Sequence, residues 1–190
     1  MTEKIEKKLP PPKIKLELAS SLKPGDLHDL CDATEAAIHE GGGFGWINIP
    51  PRKVLENYWE GVFVVPDRDL IIGRLDNVVA GTCQIIHPPK TNEAQKHTCT
   101  LTTFFLAPWA RGYGISPKLI SFAQNHAAKK GYQVITLDVR ETQTRAIEIY
   151  EQNGFKHFGS NPHYARVKNK YVSGLYFYKN INLDETSLDI

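Results

Sequence analysis

Residues 101–116 read LTTFFLAPWARGYGIS, and an amphipathic helical pattern follows them directly. A strand ends at Pro108, a short turn carries Arg111, Gly112, Tyr113 and Gly114, and a helix opens at once. The first turn of a helix has four backbone N–H groups without internal partners. The helix dipole adds partial positive charge there, worth about 0.3–1 kcal/mol per anionic group and up to ~2 kcal/mol when partly buried. Glycines at 112 and 114 let a phosphate approach the backbone without meeting a Cβ, and Arg111 brings a fixed charge on a planar fork of donors. The pattern is that of a cradle for a diphosphate; the same residues also fit a plain tight turn. A dinucleotide fingerprint would place a third glycine where Pro117 stands, and the GxxxxGKS/T of a P-loop is missing. The other glycine-rich run, 41–45, follows a helix and has no Lys-Ser/Thr after it, so it reads as a mobile loop.

Working outward, the spacing predicts a helix over about 114–130, a strand over 134–139, a helix over about 143–153, a strand from Phe155 and a last strand near 172–178. Upstream, a strand over 97–106 is preceded by strands near 70–75 and 78–86, with Asp76-Asn77 as a two-residue hairpin turn. A short helix fits 52–60. Pro24-Gly25-Asp26 opens an earlier one whose face carries Leu27, Leu30, Cys31, Thr34 and Ile38. The alternation Ile14, Leu16, Leu18 makes the first strand. This order predicts an α/β (α+β) fold: a mixed, mostly antiparallel sheet of about seven strands flanked by about four helices. Residues 1–12, with Lys4, Lys7, Lys8 and Pro10-Pro11-Pro12, read as a flexible basic, proline-rich arm, either a solvated tail or a docking segment. Residues 13–180 then form one domain and 181–190 a tail.

The 190 residues carry 23 Lys plus Arg against 21 Asp plus Glu, a balance of +2 that gives no reason to expect a nucleic-acid or anionic-membrane partner. No apolar run nears the ~20 residues of a membrane span. The first residues lack the apolar core of a signal peptide. Cys31, Cys83 and Cys99 are odd in number and widely spaced, so they read as reduced thiols of a cytoplasmic chain and not as a disulfide framework or metal site.

From Phe105 to Phe155 the chain resembles the acetyl-CoA-binding core of the GNAT N-acetyltransferase superfamily. The resemblance rests on Leu106-Ala107-Pro108 followed by Arg111-Gly112-Tyr113-Gly114-Ile115-Ser116, and on a second block from Gln143 through Ala146, Ile147, Ile149, Tyr150 and Glu151 to Gly154-Phe155. Residues 41–46, 79–85 and 162–179 are similar to bacterial tabtoxin-resistance-like acetyltransferases. The shared features there are Gly41, Gly45 and Trp46, the run VAGTCQ ending at Gln84, Pro162-His163-Tyr164-Ala165, and Tyr176-Phe177-Tyr178. Ser116 replaces the usual Gly/Ala, Pro117 removes an amide, and Gln143 stands where the family favours Asn.

The resemblance implies a GNAT-like acyl-CoA N-acyltransferase fold and transfer of an acetyl group from acetyl-CoA, as cosubstrate, to a primary amine of a small molecule, by direct attack in a ternary complex. No metal is implied. A peptide or protein acceptor, or a non-catalytic acyl-CoA-binding module, are the alternative readings, and a homodimer is left open. The implied cofactor contacts are Phe104, Leu106, Arg111, Gly112, Tyr113, Gly114, Ile115, Ser116 and Gln143. Tyr150 matches the family's acid position, the alternative being a packing tyrosine beside Ile147. Asp138, at a strand end, is the first candidate for the base, ahead of Glu141 and His97; burial near an aromatic mouth would raise its pKa. Otherwise it is a loop carboxylate paired with Arg140 or Arg145. Phe44, Trp46, His163 and Tyr164 are expected to hold a cationic amine by cation–π contact, with Glu40 adding opposite charge. Trp59 and Phe63 divide between pocket and core, and Trp109 reads as surface packing.

Overall fold

A computed structural model describes residues 11–42 and 45–181 of the chain. The elements are β1 (Ile14–Ala19), α1 (Asp26–His39), α2 (Arg52–Gly61), β2 (Arg68–Leu75), β3 (Val78–Ile86), β4 (Thr98–Leu106), α3 (Ile115–Lys129), β5 (Val134–Arg140), α4 (Thr144–Gln152), β6 (Lys156–Val167) and β7 (Lys170–Asn180). Short 3-10 turns at Glu93–Gln95 and Pro108–Ala110 join them. The expected order of strands and helices is present throughout. The basic arm, apart from Pro11 and Pro12, and the tail, apart from Ile181, lie outside the described residues.

The seven strands lie in the order β1-β2-β3-β4-β5-β7-β6. Every neighbouring pair is antiparallel except β4 and β5. Asp76 and Asn77, at φ 49° and 72°, make the β2–β3 hairpin with the left-handed geometry that Asp and Asn tolerate.

Alternating side chains divide the sheet's two faces. On one, Ile71, Cys83, Ile85, Cys99, Leu101, Ile135 and Leu137 are buried with Ile115, Leu119, Ile120 and Ala123 of α3. On the other, Leu70, Ile72 and Val79 are buried with Leu30, Cys31, Leu55 and Trp59 of α1 and α2. Trp59 is fully buried, so it is a core residue. Its indole N–H donates to Thr34 Oγ1 at 3.1 Å, and Thr34 donates to the Leu30 carbonyl at 2.6 Å. Among the described residues this second core takes nothing from β5, β6 or β7. The face of β5 that carries Thr136, Asp138 and Arg140 is therefore left outside the α1–α2 core.

Two irregularities shape the middle of the sheet. The sequence pattern predicts an uninterrupted strand over 97–106, but Thr103 has φ 52° and the β3–β4 register shifts between Thr82 and Gln84. Thr103 and Phe104 stand opposite Cys83 alone, which is a β-bulge. The bulge reverses the alternation: Cys99 and Leu101 face α3, whereas Phe105 packs with α1 and α2. Beside it, β4 and β5 pair only from Thr98–Thr100 to Val134–Thr136. Beyond that point the two strands diverge.

One buried ion pair anchors α1 to the sheet. Arg74 donates to both carboxylate oxygens of Asp26 at 2.7 and 2.8 Å, and its Nε donates to Glu17 at 2.8 Å. Burial on its own raises the Asp26 carboxyl, but the Arg74 guanidinium and the Lys23 N–H together more than reverse this and hold it below its ordinary value. The hydrogen bond from Lys23 is the main influence that brings Glu17 down to about 2. Both carboxyls are depressed in the folded chain, so their contribution is present above the unfolded range near pH ~4 and drains away as pH falls through the folded values. Asp26→Ala leaves Arg74 buried with Glu17 as its remaining carboxylate. Urea unfolding at pH 7 is expected to show a loss of about 3 kcal/mol. The variant should also lose less further stability than the parent between pH 7 and pH 3.

Candidate active site

Two clefts open where β4 and β5 part. The first, of ≈ 560 Å³, lies between the start of α3 and the start of α4. Its walls include Phe104, Leu106, Arg111, Gly112, Gly114, Ile115, Ser116 and Gln143. These are all but one of the residues expected to hold the cofactor; Tyr113 is exposed and lines neither cleft. Gly114 caps α3 with φ 73° and Gly112 has φ 85°, and a Cβ built on either would meet nothing within 4 Å. The backbone of the turn is thus open to an approaching group on the side a side chain would occupy. Among the described residues no side chain caps α3, and none of them takes up the N–H groups of its first turn, of which Pro117 has none to give. An open turn with free amides and a neighbouring guanidinium fits a diphosphate.

The α1–α2 loop reaches across this cleft. Glu40 forms an ion pair with Arg111, and Gln143 Nε2 donates to the Gly41 carbonyl at 2.9 Å. The sequence places Glu40 beside the acceptor amine; here it lines the first cleft and pairs with the arginine expected to hold phosphate. Gln143, taken as a cofactor contact, spends its amide N–H on the loop.

The second cleft, of ≈ 790 Å³, lies on the other side of the parting. It shares Gly42, Phe104, Gln143 and Ala146 with the first, so the two meet at the β4 bulge. Its floor is the polar face of the sheet: Thr100 and Thr102 of β4, Asp138 and Arg140 of β5, and Tyr164 and Arg166 of β6, with Tyr150 at its inner end. Tyr150 is almost fully buried, 5.5 Å in ring-centroid separation from Phe104 and 5.8 Å from Phe155. It is therefore both a packing tyrosine and a wall of the cleft. Burial pushes its phenol well above the ordinary tyrosine value, and the nearby acidic groups Cys83, Asp138 and Tyr164 push in the same direction.

Asp138 is exposed, not buried as the sequence reading expects, and it accepts a hydrogen bond from the Tyr164 hydroxyl. Tyr164 is positioned by a break in the β6–β7 ladder between Asn161 and Ala165, where Pro162 has no N–H to give. Opposite it, a Cβ on Gly174 would fall 2.2 Å from Tyr164 Cγ, so glycine there is what lets the ring lie across β7.

The remaining expectations are not assembled here. Trp46 packs edge-on against Tyr58 at 5.1 Å, and His163 packs against Tyr171 at 4.6 Å; neither lines a cleft. Phe44 lies outside the described residues. Glu141 accepts from the Ser173 N–H at 3.1 Å, and His97 is exposed at the foot of β4; neither lines the second cleft. Of the four rings expected around a cation, Tyr164 lines the cleft; Tyr58, Phe104 and Tyr150 line it too, beside Arg68, Arg140 and Arg166. Sequence reasoning passed over Arg68, Arg166, Tyr58 and the two threonines, and named Arg140 only as a partner for Asp138. The signal was the alternation of polar residues at 98, 100 and 102 and at 136, 138 and 140, broken by the doubled Thr102-Thr103.

The parallel pair thus opens beside the glycine turn at 111–114, with an acidic and a phenolic group behind the opening. Residues 36–155 match the model of the acetyltransferase (GNAT) family. A relative from Azospirillum brasilense, the "Uncharacterized N-acetyltransferase in hisH-hisA intergenic region", is 52% identical over 132 residues, which is 70% of this chain and 79% of that protein. Among solved structures, YncA from Salmonella typhimurium, determined with its cofactor acetyl-CoA, aligns over 90% of this chain and 96% of its own, with TM-score 0.71 and 13% identity. An N-acetyltransferase from Staphylococcus aureus Mu50 aligns over 90% and 99%, with TM-score 0.73 and 16% identity. The chain belongs to the acetyltransferase (GNAT) family. It is an acetyl-CoA-dependent N-acetyltransferase.

The exposed Glu40–Arg111 pair is worth at most about 1 kcal/mol. Breaking it is expected to free Arg111: Glu40→Gln should tighten coenzyme A binding by up to about fivefold, as that energy converts. Arg111→Ala should weaken it, and by more than Lys118→Ala, since Lys118 does not line the cleft. Calorimetric titration of the three variants checks the order; equal affinities for the two cation variants would contradict the placement.

Proposed function

We propose that the enzyme acetylates a primary amine of a small molecule by direct attack within a ternary complex. The observation that carries this reading is the meeting of the two clefts at Phe104, Gln143 and Ala146, which would let carrier and acceptor bind from opposite sides at once. We assign Arg111 and the amides at the start of α3 to the carrier's phosphates, Phe104 and Leu106 to its arm, and Tyr150 and Asp138 to the chemistry.

Bound acetyl-CoA supplies an activated acyl thioester. The amine nitrogen must first lose a proton; with a pKa near ~10.4 this costs roughly 4–5 kcal/mol at pH 7. Asp138 attracts the ammonium form and receives that proton, and its exposure passes the proton on to solvent. The nitrogen lone pair forms the new C–N bond, the C–S bond breaks with its electron pair on sulfur, the nitrogen sheds its second proton to solvent as the amide forms, and the Tyr150 hydroxyl gives its proton to the leaving thiolate. Its raised pKa keeps Tyr150 protonated until that moment. The phenol is then restored from water.

Thiol release from acetyl-CoA, measured with a panel of small amines, tests the reading. The parent protein is expected to turn over at least one amine, and Tyr150→Phe to lower kcat by about 100-fold or more with little change in KM for acetyl-CoA. Tyr150 should cause no alkaline loss of activity below pH ~10, the ordinary tyrosine value, since its own lies higher. A folded protein that binds acetyl-CoA and releases no thiol with any amine would overturn the proposal.

A further inference from the structure

We propose that the acceptor carries a carboxylate as well as its amine, that is, an amino acid, and that Arg68 grips this carboxylate; the inference rests on the acceptor cleft assigned above. Among the described residues, the charged side chains lining that cleft are Arg68, Arg140, Arg166 and Asp138. Three cations against one anion repel a polyamine and attract a ligand that brings negative charge of its own. A single carboxylate is enough to accept the ammonium end, which leaves the arginine side for an anion.

Arg68 is the cation the fold holds in place. It sits at the start of β2 on the face shared with Leu70 and Ile72, and its Nη1 donates to Gln84 Oε1 at 2.9 Å. Gln84 is completely buried, and its Nε2 donates to the Tyr58 hydroxyl at 3.2 Å. Tyr58 in turn lies 3.4 Å from Thr103 Oγ1, at the bulge. A polar chain thus runs from the bulge, through a buried amide, to one guanidinium. A glutamine in the interior of a sheet is costly unless its hydrogen bonds are made, and its carbonyl is spent on orienting Arg68. The Arg68 Nε is sealed from solvent and has no partner among the described residues. The sealed Nε is not open to a ligand; at the cleft wall it is Nη2 that makes no hydrogen bond among the described residues and is left for one. The planar fork of an arginine suits a carboxylate in a way a lysine does not. Gln84 acts through Arg68 and is a positioning residue.

Common L-amino acids, β-alanine and γ-aminobutyrate, each paired with its amide and its decarboxylated amine, provide the test in two assays. In acetyl-CoA turnover, the parent enzyme is expected to prefer at least one amino acid over its amide by tenfold or more in kcat/KM. Arg68→Gln should shrink that ratio by about tenfold or more, Arg68→Lys should restore part of it, and Gln84→Leu should shrink it in the same direction. General damage to the fold lowers both rates and leaves the ratio unchanged. Equilibrium dialysis against CoA-saturated protein is expected to retain the preferred amino acid and to lose that retention in Arg68→Gln. Turnover of amides and plain amines with no preference for carboxylates would overturn this inference while leaving acetyl transfer to amines standing. Binding of amino acids without turnover of any acceptor would keep the inference and remove the transfer reading. Failure of every amino acid to bind would overturn it.

Discussion

Everything at the centre of this molecule depends on β4 and β5 pairing for three residues and no further. Parallel strands hold together through evenly spaced, slanted hydrogen bonds, and those bonds stop after Thr100 and Thr136. The bulge at Thr103 stands just past that limit and turns β4 so that its inward and outward faces exchange. An opening in the middle of a sheet would ordinarily leave backbone groups unsatisfied. Here it is lined by Phe104 and Leu106 on one side and by the start of α4 on the other. The sheet tolerates the gap because both flanks are braced, with β1–β4 held by two helical layers and β5 held by antiparallel β7 over its full length.

Charge is distributed about this gap in two different ways. On the α3 side, positive potential comes from a helix start and Arg111, and the nearby carboxylate of Glu40 is exposed and weakly held. On the other side it comes from three arginines around one carboxylate, with a buried glutamine fixing one of them. Tyr150 lies at the inner end of the second cleft, in contact with the Phe104 ring that forms a wall of both. Its low accessibility and raised pKa follow from the same fact, that it is part of the core.

The fold was legible in the sequence because its signals are local. Two-residue alternation gives the strands, and Asp76-Asn77 and Gly114 mark a hairpin and a helix start that the structure contains. The glycine turn at 111–114 was legible for the same reason: strand, turn and helix are contiguous. The second cleft was not, because it is assembled from β2, β4, β5 and β6, and side chains up to about 100 positions apart meet there only through the sheet order. Trp46 and His163 have the right chemistry for a cage, yet each finds a ring partner next to it and stays out of the cleft. Asp138 has the expected place at the end of a strand, but the sequence could not show that no helix among the described residues covers that end of the sheet. The bulge left only a doubled threonine as its trace.

A crystal structure with coenzyme A tests the central claim most directly. The account predicts the diphosphate on the amides of residues 112–116 beside Arg111, with Glu40 released, and the thiol arm lying between β4 and β5 past Thr100 and Thr136. Coenzyme A bound elsewhere, with Glu40 still on Arg111 and nothing between the two strands, would contradict it.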